Sequence, residues 1–304
     1  LRVLFHIVAL IYLLQAAYCQ IPEEINLYPQ ISGNSISSEI KILDKDGNLD
    51  YISGKVRPRL IVYEPEGHSE CGIIYCPGGG YGRLNIKSGR DLSTTLNDWG
   101  ITVFVLVYTL PGIDSVFASS SEFQALKDLN KAYSLIKSNK KWEEMIIGYW
   151  GASAGGHLAA MGANDIINFA DVQSYSPPDF LVLVSPIISF EMALNPKIYY
   201  QLTGKNISDQ LDDFFSAEKR VSSHNPKTFI LHSDDDKISY PVNSIRYYMA
   251  LSEYNVNAEM HLYESGGHGF YISEDSNQNW VRELNFWIVN NGFIKQSLLI
   301  NYSK

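Results

Sequence analysis

The sequence predicts an α/β fold: a mostly parallel sheet of eight strands with helices on both faces. Three observations carry this. Short apolar runs of strand length recur along the 304 residues, and from the third run onward helical patterns alternate with them. Such alternation builds a parallel sheet covered on both sides. Ile101 to Tyr108 is a continuous β-branched and aromatic run, the pattern of a strand buried on both faces. Residues 145–164, MIIGYWGASAGGHLAAMGAN, read as an apolar strand, a glycine–serine–glycine turn and a small-residue helix without a break.

The elements follow in order. Residues 1–19 form an expected secretory signal peptide. Arg2 supplies the positive start, Val3 to Leu14 the apolar stretch, and Ala17-Tyr18-Cys19 a small-x-small cleavage site before Gln20. The apolar stretch is short for a membrane span, so a retained anchor is the lesser reading and stable membrane insertion is not expected. Cys19 leaves a lipoprotein alternative, which Tyr18 fits badly. The expected location is therefore secreted or periplasmic. Residues 20–304 carry no repeat, low-complexity tract or linker and read as one domain. The strands are expected at Glu39–Asp44, Arg59–Tyr63, Gly72–Cys76, Ile101–Tyr108, Met145–Trp150, Phe180–Val184, Thr228–His232 and Ala258–Tyr263. Asp46-Gly47-Asn48 marks a turn after the first. Helices are expected at Asp91–Trp99, Ser121–Lys137, Gly156–Ala163, Val242–Tyr254 and Trp280–Asn290. No helical cap is expected ahead of the first strand. The roughly forty residues 185–227 suffice for a small flap and not a large lid. The site is therefore expected to be an open groove, which suits a polymer or a surface-presented ester.

Composition narrows the function. The apolar fraction of 45% is ample for a core, and the net charge of −9 argues against nucleic acid and anionic membranes as partners. Oligomeric state is left open. Beyond Cys19 the chain holds Cys71 and Cys76, five apart on one expected strand and so about 16 Å apart. A disulfide needs Cα atoms within about 7 Å, so both are expected as free thiols. No spacing among the cysteines and seven histidines suggests a metal, and no cofactor is expected. In a glycosylating host, Asn206 and Asn301 would be acceptor sites.

Gly151-Ala152-Ser153-Ala154-Gly155 between a strand and a helix is the nucleophile elbow of an α/β-hydrolase, here with minimal lid. The turn holds the serine in a strained conformation that lifts its hydroxyl clear, and the residues two either side must be small. The third strand ends in Cys76-Pro-Gly-Gly-Gly-Tyr81, where this fold places half of its oxyanion hole. Gly79 and Gly80 are the expected donors on that side and Ala154 on the other. After the seventh strand, Asp234, Asp235 and Asp236 compete as the acid; spacing to the apolar turn favours Asp236, with Asp235 the fallback. The run lacks the ligand spacing of a calcium loop. His268, in Gly266-Gly-His-Gly-Phe270 after the last strand, is the expected general base. The order Ser153, Asp236, His268 is the α/β-hydrolase order, and that agreement carries more than any one motif. His157 is read as packing or hydrogen bonding beneath the site, and His232 as a satisfied core histidine.

Together these stretches resemble the α/β-hydrolase carbohydrate esterases called BD-FAE-like, which include secreted acetylxylan esterases. The resemblance rests on Cys76 to Tyr81, Tyr108 to Pro111, Gly151 to Leu158, Pro178 to Phe180 with Ser185 to Ser189, His232 to Ser244, and Gly266 to Phe270. It runs from about Ile25 to Ile294, nearly all of the expected mature chain. The family usually has His where Cys76 stands, Arg where Thr109 stands and proline where Tyr240 stands. The resemblance implies removal of small acyl groups, most often acetyl, from acylated polysaccharide or oligosaccharide. Tyr81, Phe270 and Tyr271 flank the motifs and are expected to pack on sugar faces; Trp150 is expected in the core. The alternatives are a broad-specificity small-molecule carboxylesterase, an acyl-peptide or dipeptidyl peptidase, and a non-catalytic sugar-binding module. The last predicts a broken triad, whereas all three residues are present.

Overall fold

A computed structural model describes residues 22–30, 38–110, 124–164, 177–191, 196–203, 209–269 and 280–295. The expected signal segment, Asn206, Asn301, Phe270 and Tyr271 lie outside these residues. The described strands are β1 (Glu23–Asn26), β2 (Glu39–Leu43), β3 (Leu49–Gly54), β4 (Arg59–Tyr63), β5 (Cys71–Cys76), β6 (Leu84–Asn85), β7 (Ile101–Val107), β8 (Ile146–Ala152), β9 (Phe180–Val184), β10 (Lys227–Ser233) and β11 (Ala258–Tyr263). Eight of them form one sheet in the order β1-β4-β7-β5-β8-β9-β10-β11. From β7 to β11 the neighbours pair parallel; β4 on β7 and β1 on β4 pair antiparallel.

Every residue of β5, β7 and β9 is buried. Successive side chains of a strand point to opposite faces, so both faces of the sheet are covered. The cover comes from the crossovers that parallel pairing requires. These include α1 (Ile86–Asp98), α2 (Gln124–Ser138), α3 (Ala154–Ala163) and α6 (Val242–Glu253), with α7 (Trp280–Asn290) after the last strand. Among the described residues between β9 and β10 are the short helices α4 (Pro196–Thr203) and α5 (Asp209–Phe215). No helix among the described residues is long and apolar enough to cross a membrane. Cys71 and Cys76 are buried free thiols, and burial pushes both thiols up; the Asp179 carboxylate adds to this for Cys71.

Two expectations about elements are corrected. The expected first strand, Glu39–Asp44, is not in the main sheet. It is β2, which pairs antiparallel with β3 through a turn at Gly47, and β3 pairs in turn with β6 to make a three-stranded sheet. The edge of the main sheet is β1 instead, a four-residue strand whose mixed, half-exposed sequence EEIN carries no periodic signal. The helix expected from Asp91 begins at Ile86, because the Asn85 side chain accepts from the Ser88 N–H and caps it. Gly89 lies inside that helix because a Cβ there would stand 2.6 Å from Val105 and 2.8 Å from Tyr75. Glycine here is a device for close helix–sheet approach and not a stop.

Parallel pairing and register set the site. Cys76 sits opposite Gly151, Ala152 opposite Val184, Leu231 opposite Val184, and Ser233 opposite Tyr263. The loops that leave β5, β8, β10 and β11 therefore emerge side by side at the carboxyl edge, the usual place for ligands in an open α/β sheet.

Candidate active site

The turn between β8 and α3 holds Ser153 at φ 54° and ψ −122°, a sparsely populated region for a residue with a Cβ that costs about 1–3 kcal/mol. Bonds on three sides hold it there. The Ser153 N–H donates to Val184 O (3.1 Å), and Ser153 O accepts from His157 N (3.2 Å) and Ile187 N (3.1 Å). The flanking glycines are sterically required. A Cβ on Gly151 would stand 2.2 Å from Gly155 O, and one on Gly155 would stand 2.0 Å from Cys76 O.

His268 Nε2 lies 2.9 Å from Ser153 Oγ, and His268 Nδ1 lies 2.8 Å from Asp236 Oδ2. The carboxylate only accepts, so Nδ1 carries the proton and Nε2 accepts from the serine hydroxyl. The histidine loop is pinned on both sides. Gly267 N donates to Asp235 Oδ1 (2.8 Å) and Gly269 N to Ser185 Oγ (3.3 Å). Asp235, the fallback acid, thus braces this loop, while Asp234 is exposed. Asp236 is wholly buried. Burial pushes its carboxyl up, but hydrogen bonds from His232, His268 and the N–H groups of Ile238 and Ser239 outweigh this and hold it well below the usual carboxylate range. The turn after Asp236 has Pro241 at the cap of α6, one place beyond Tyr240.

His232 is buried and also lies on the acid. Its Nε2 is 2.7 Å from Ser239 O and 3.2 Å from Asp236 Oδ2, and its Nδ1 is 2.7 Å from Ser244 Oγ. Since Ser239 O only accepts, Nε2 carries the proton and Nδ1 accepts from Ser244. An unbroken line of hydrogen bonds runs from Ser244 through His232, Asp236 and His268 to Ser153. The spacing of His232 to Asp236, four residues across one turn, was the available signal for this contact.

The glycine loop after β5 lies against the elbow. A Cβ on Gly78 would stand 2.8 Å from Ala152 O and 3.2 Å from Ser153 Cβ. Gly79 has φ 137° and Gly80 φ 63°, so the loop needs glycine at both. Among the described residues the N–H groups of Gly79, Gly80 and Ala154 donate to no acceptor. Two tyrosines fix the loop. Tyr108 Oη donates to Pro77 O (2.8 Å), and Tyr81 Oη donates to His157 Nδ1 (2.7 Å). His157 Nε2 in turn donates to Phe215 O at 2.7 Å. The expectation that Tyr81 packs on sugar is therefore corrected: it is 2% exposed, edge-on to Tyr108 and His157, and spans the loop and α3 from beneath. Trp150 is 3% exposed, as its core assignment requires.

Ser153 and His268 open into a groove of about 940 Å³. Its walls include Tyr51 and Arg83 on one side, Lys197, Ile198 and Gln201 of α4, and Ile238 and Tyr240 after the acid. Of these wall residues Tyr51, Arg83, Lys197, Ile198 and Gln201 carry no motif and were not legible in the sequence. The arrangement can remove a proton from the Ser153 hydroxyl as it attacks a carbonyl, with N–H donors beside the point where negative charge would build.

The prolyl oligopeptidase family model matches residues 122–292, more than half of the chain. An acetylxylan esterase of Xylanibacter ruminicola is 29% identical over 232 residues, which cover 72% of this chain and 45% of that protein. An endo-1,4-β-xylanase B of Butyrivibrio fibrisolvens is 26% identical over 216 residues, covering 67% of this chain and 33% of that protein. The chain thus spans less than half the length of either relative. A crystal structure of an acetyl ester-xyloside bifunctional hydrolase from Caldicellulosiruptor lactoaceticus superposes with a TM-score of 0.73 at 28% identity, covering 91% of this chain and all of that one.

Proposed function

The chain belongs to the prolyl oligopeptidase family of α/β-hydrolases, and from that premise we propose that it is a serine esterase that removes acetyl groups from acylated hemicellulose through an acyl-enzyme. The observation that carries the reading is the hydrogen-bond chain Ser153–His268–Asp236 opening into a groove. The similarity to an acetylxylan esterase over 72% of the chain favours an ester over the peptide bond of the family's name, and acetyl over other acyl groups.

In this reading Ser153 Oγ attacks the acetyl carbonyl while His268 Nε2 takes its proton. Asp236 holds the imidazole in the required tautomer and stabilises its charged form. The carbonyl oxygen becomes an oxyanion facing the N–H groups of Gly79, Gly80 and Ala154, each such donor contributing about 3 kcal/mol. His268 then protonates the departing sugar hydroxyl. Water enters by the same route, and acetate leaves. Among the described residues no element covers the groove over Ser153, which leaves room for a polymer at the serine. The secretion expected from residues 1–19 would accord with a polymer substrate too large to enter a cell.

The test is acetate release from acetylated xylan, run beside p-nitrophenyl acetate and a peptide p-nitroanilide. The expected result is acetate release by the native protein, loss of at least about a thousandfold in Ser153→Ala, and no cleavage of the anilide. Hydrolysis of p-nitrophenyl acetate alone would move the reading to a small-molecule carboxylesterase, and preferential anilide cleavage would move it to a peptidase.

A further inference from the structure

We propose that the groove holds a subsite for a carboxylate-bearing sugar beside the ester, with Arg83 as its anchor, so that the preferred substrate is an acidic hemicellulose carrying uronic acids. This deepens the polysaccharide reading above and rests on it.

The argument starts from charge. The chain carries a net charge of −9, yet the groove is lined by Arg83, Lys197 and Lys237. Among the described residues none of these three meets a carboxylate. Several cations elsewhere do: Arg59 pairs with Glu24 and Glu39, Arg90 with Asp44, Lys141 with Glu64, and Arg246 with Glu191. The one carboxylate lining the groove beside the triad, Asp91, is already bonded to Lys87. Three cations without a carboxylate partner among the described residues thus line the groove beside Ser153, against one carboxylate that is already bonded, in a protein whose net charge is negative. A groove for a neutral polymer needs no such arrangement, and one for an anion does.

Arg83 is also held in place. Its guanidinium lies 4.4 Å from the centre of the Tyr51 ring. This cation–π contact holds the guanidinium, whose N–H groups donate to no acceptor among the described residues, so a carboxylate can be bound in bidentate fashion. Tyr51 is placed by pairing with Asn85 across β3 and β6, and Asn85 N donates to Gly78 O at 2.9 Å. Arg83 N donates to Gly79 O at 3.3 Å. The anchor is therefore tied through the small sheet and its own backbone to the glycine loop beside Ser153. Lys197 on α4 and Lys237 after Asp236 add point charges from two other elements of the groove.

The experiment measures acetate release from a uronic-acid-bearing acetylated xylan and from the same polymer after enzymatic removal of the uronic acids. The native protein is expected to favour the acidic polymer by about three- to fivefold in kcat/KM, as an exposed but well-aimed ion pair allows. The preference should shrink with added salt. In Arg83→Gln the ratio should fall to about one, and Arg83→Lys should lie between. The ratio cancels any general loss of activity in the variants. A native ratio of one, or an undiminished ratio in Arg83→Gln, would overturn the subsite while leaving the esterase reading intact. Acetate from neither polymer, with p-nitrophenyl acetate still cleaved, would overturn the polysaccharide reading and the subsite together.

Discussion

Asp236 has two histidines on one oxygen. Oδ2 faces His268 Nδ1 at 2.8 Å and His232 Nε2 at 3.2 Å, while Oδ1 accepts from Ile238 N (2.8 Å) and Ser239 N (3.0 Å). A buried carboxylate with this many donors is fixed in position and stays ionised. In the proposed mechanism its orientation sets that of His268, and His232 acts on the reaction through it as a positioning residue. His232→Asn is expected to lower kcat about tenfold, the effect of losing one hydrogen bond to a charged group. The loss should fall on kcat and leave KM within about twofold, because His232 does not line the groove, and His232→Gln, which can keep a donor, should restore part of it. An equal loss in His232→Gln, or a loss that falls on KM, would reduce His232 to packing.

Between elements, His157 joins three pieces: the glycine loop through Tyr81, the helix α3 on which it stands, and the end of α5 through Phe215 O. Where the carbohydrate esterases it resembles usually have His, position 76 is a buried cysteine, and Tyr81 and Tyr108 brace the loop. Burial pushes the His157 pKa down from 6.5 to about 4, against the bond to Phe215 O, which raises it. The folded protein therefore binds fewer protons than the unfolded chain between those values. This group leaves stability unchanged above pH 6.5 and withdraws it as pH falls toward 4, by on the order of 3 kcal/mol in all. Asp236, whose carboxyl is held low, withdraws further stability only at still lower pH. Thermal melts from pH 7 to 4.5 should fall steeply for the native protein and less steeply for His157→Gln, though that variant starts lower. Parallel curves would contradict this. The same elements show what was legible in the sequence. The central strands and the three loops that carry Ser153, Asp236 and His268 were readable, because full burial and turn chemistry write themselves as apolar runs and glycine. The edge strand β1, the small sheet and the first turn of α1 were not: a half-exposed edge has no periodicity, and Gly89 looks like a break until the strand beneath it is seen. The inward turn of Tyr81 was illegible for a related reason, since nothing local reveals the buried His157 that receives it.

At the scale of the molecule, the carboxyl edge of one mostly parallel sheet gathers four loops that are far apart in the chain. Register does the gathering, and α4 and the loop after β10 raise the walls of the groove. A serine strained upward, a proton acceptor at 2.9 Å and unoccupied N–H donors beside it should react with an electrophilic phosphorus as they would with an acetyl carbon. The most direct measurement is the intact mass of the native protein after exposure to a fluorophosphonate probe, followed by peptide mapping. One probe per chain is expected, on Ser153, with no labelling in Ser153→Ala and labelling slowed by at least about a hundredfold in His268→Ala. Labelling that persists in Ser153→Ala, or a native protein that does not react, would contradict a serine nucleophile at the elbow.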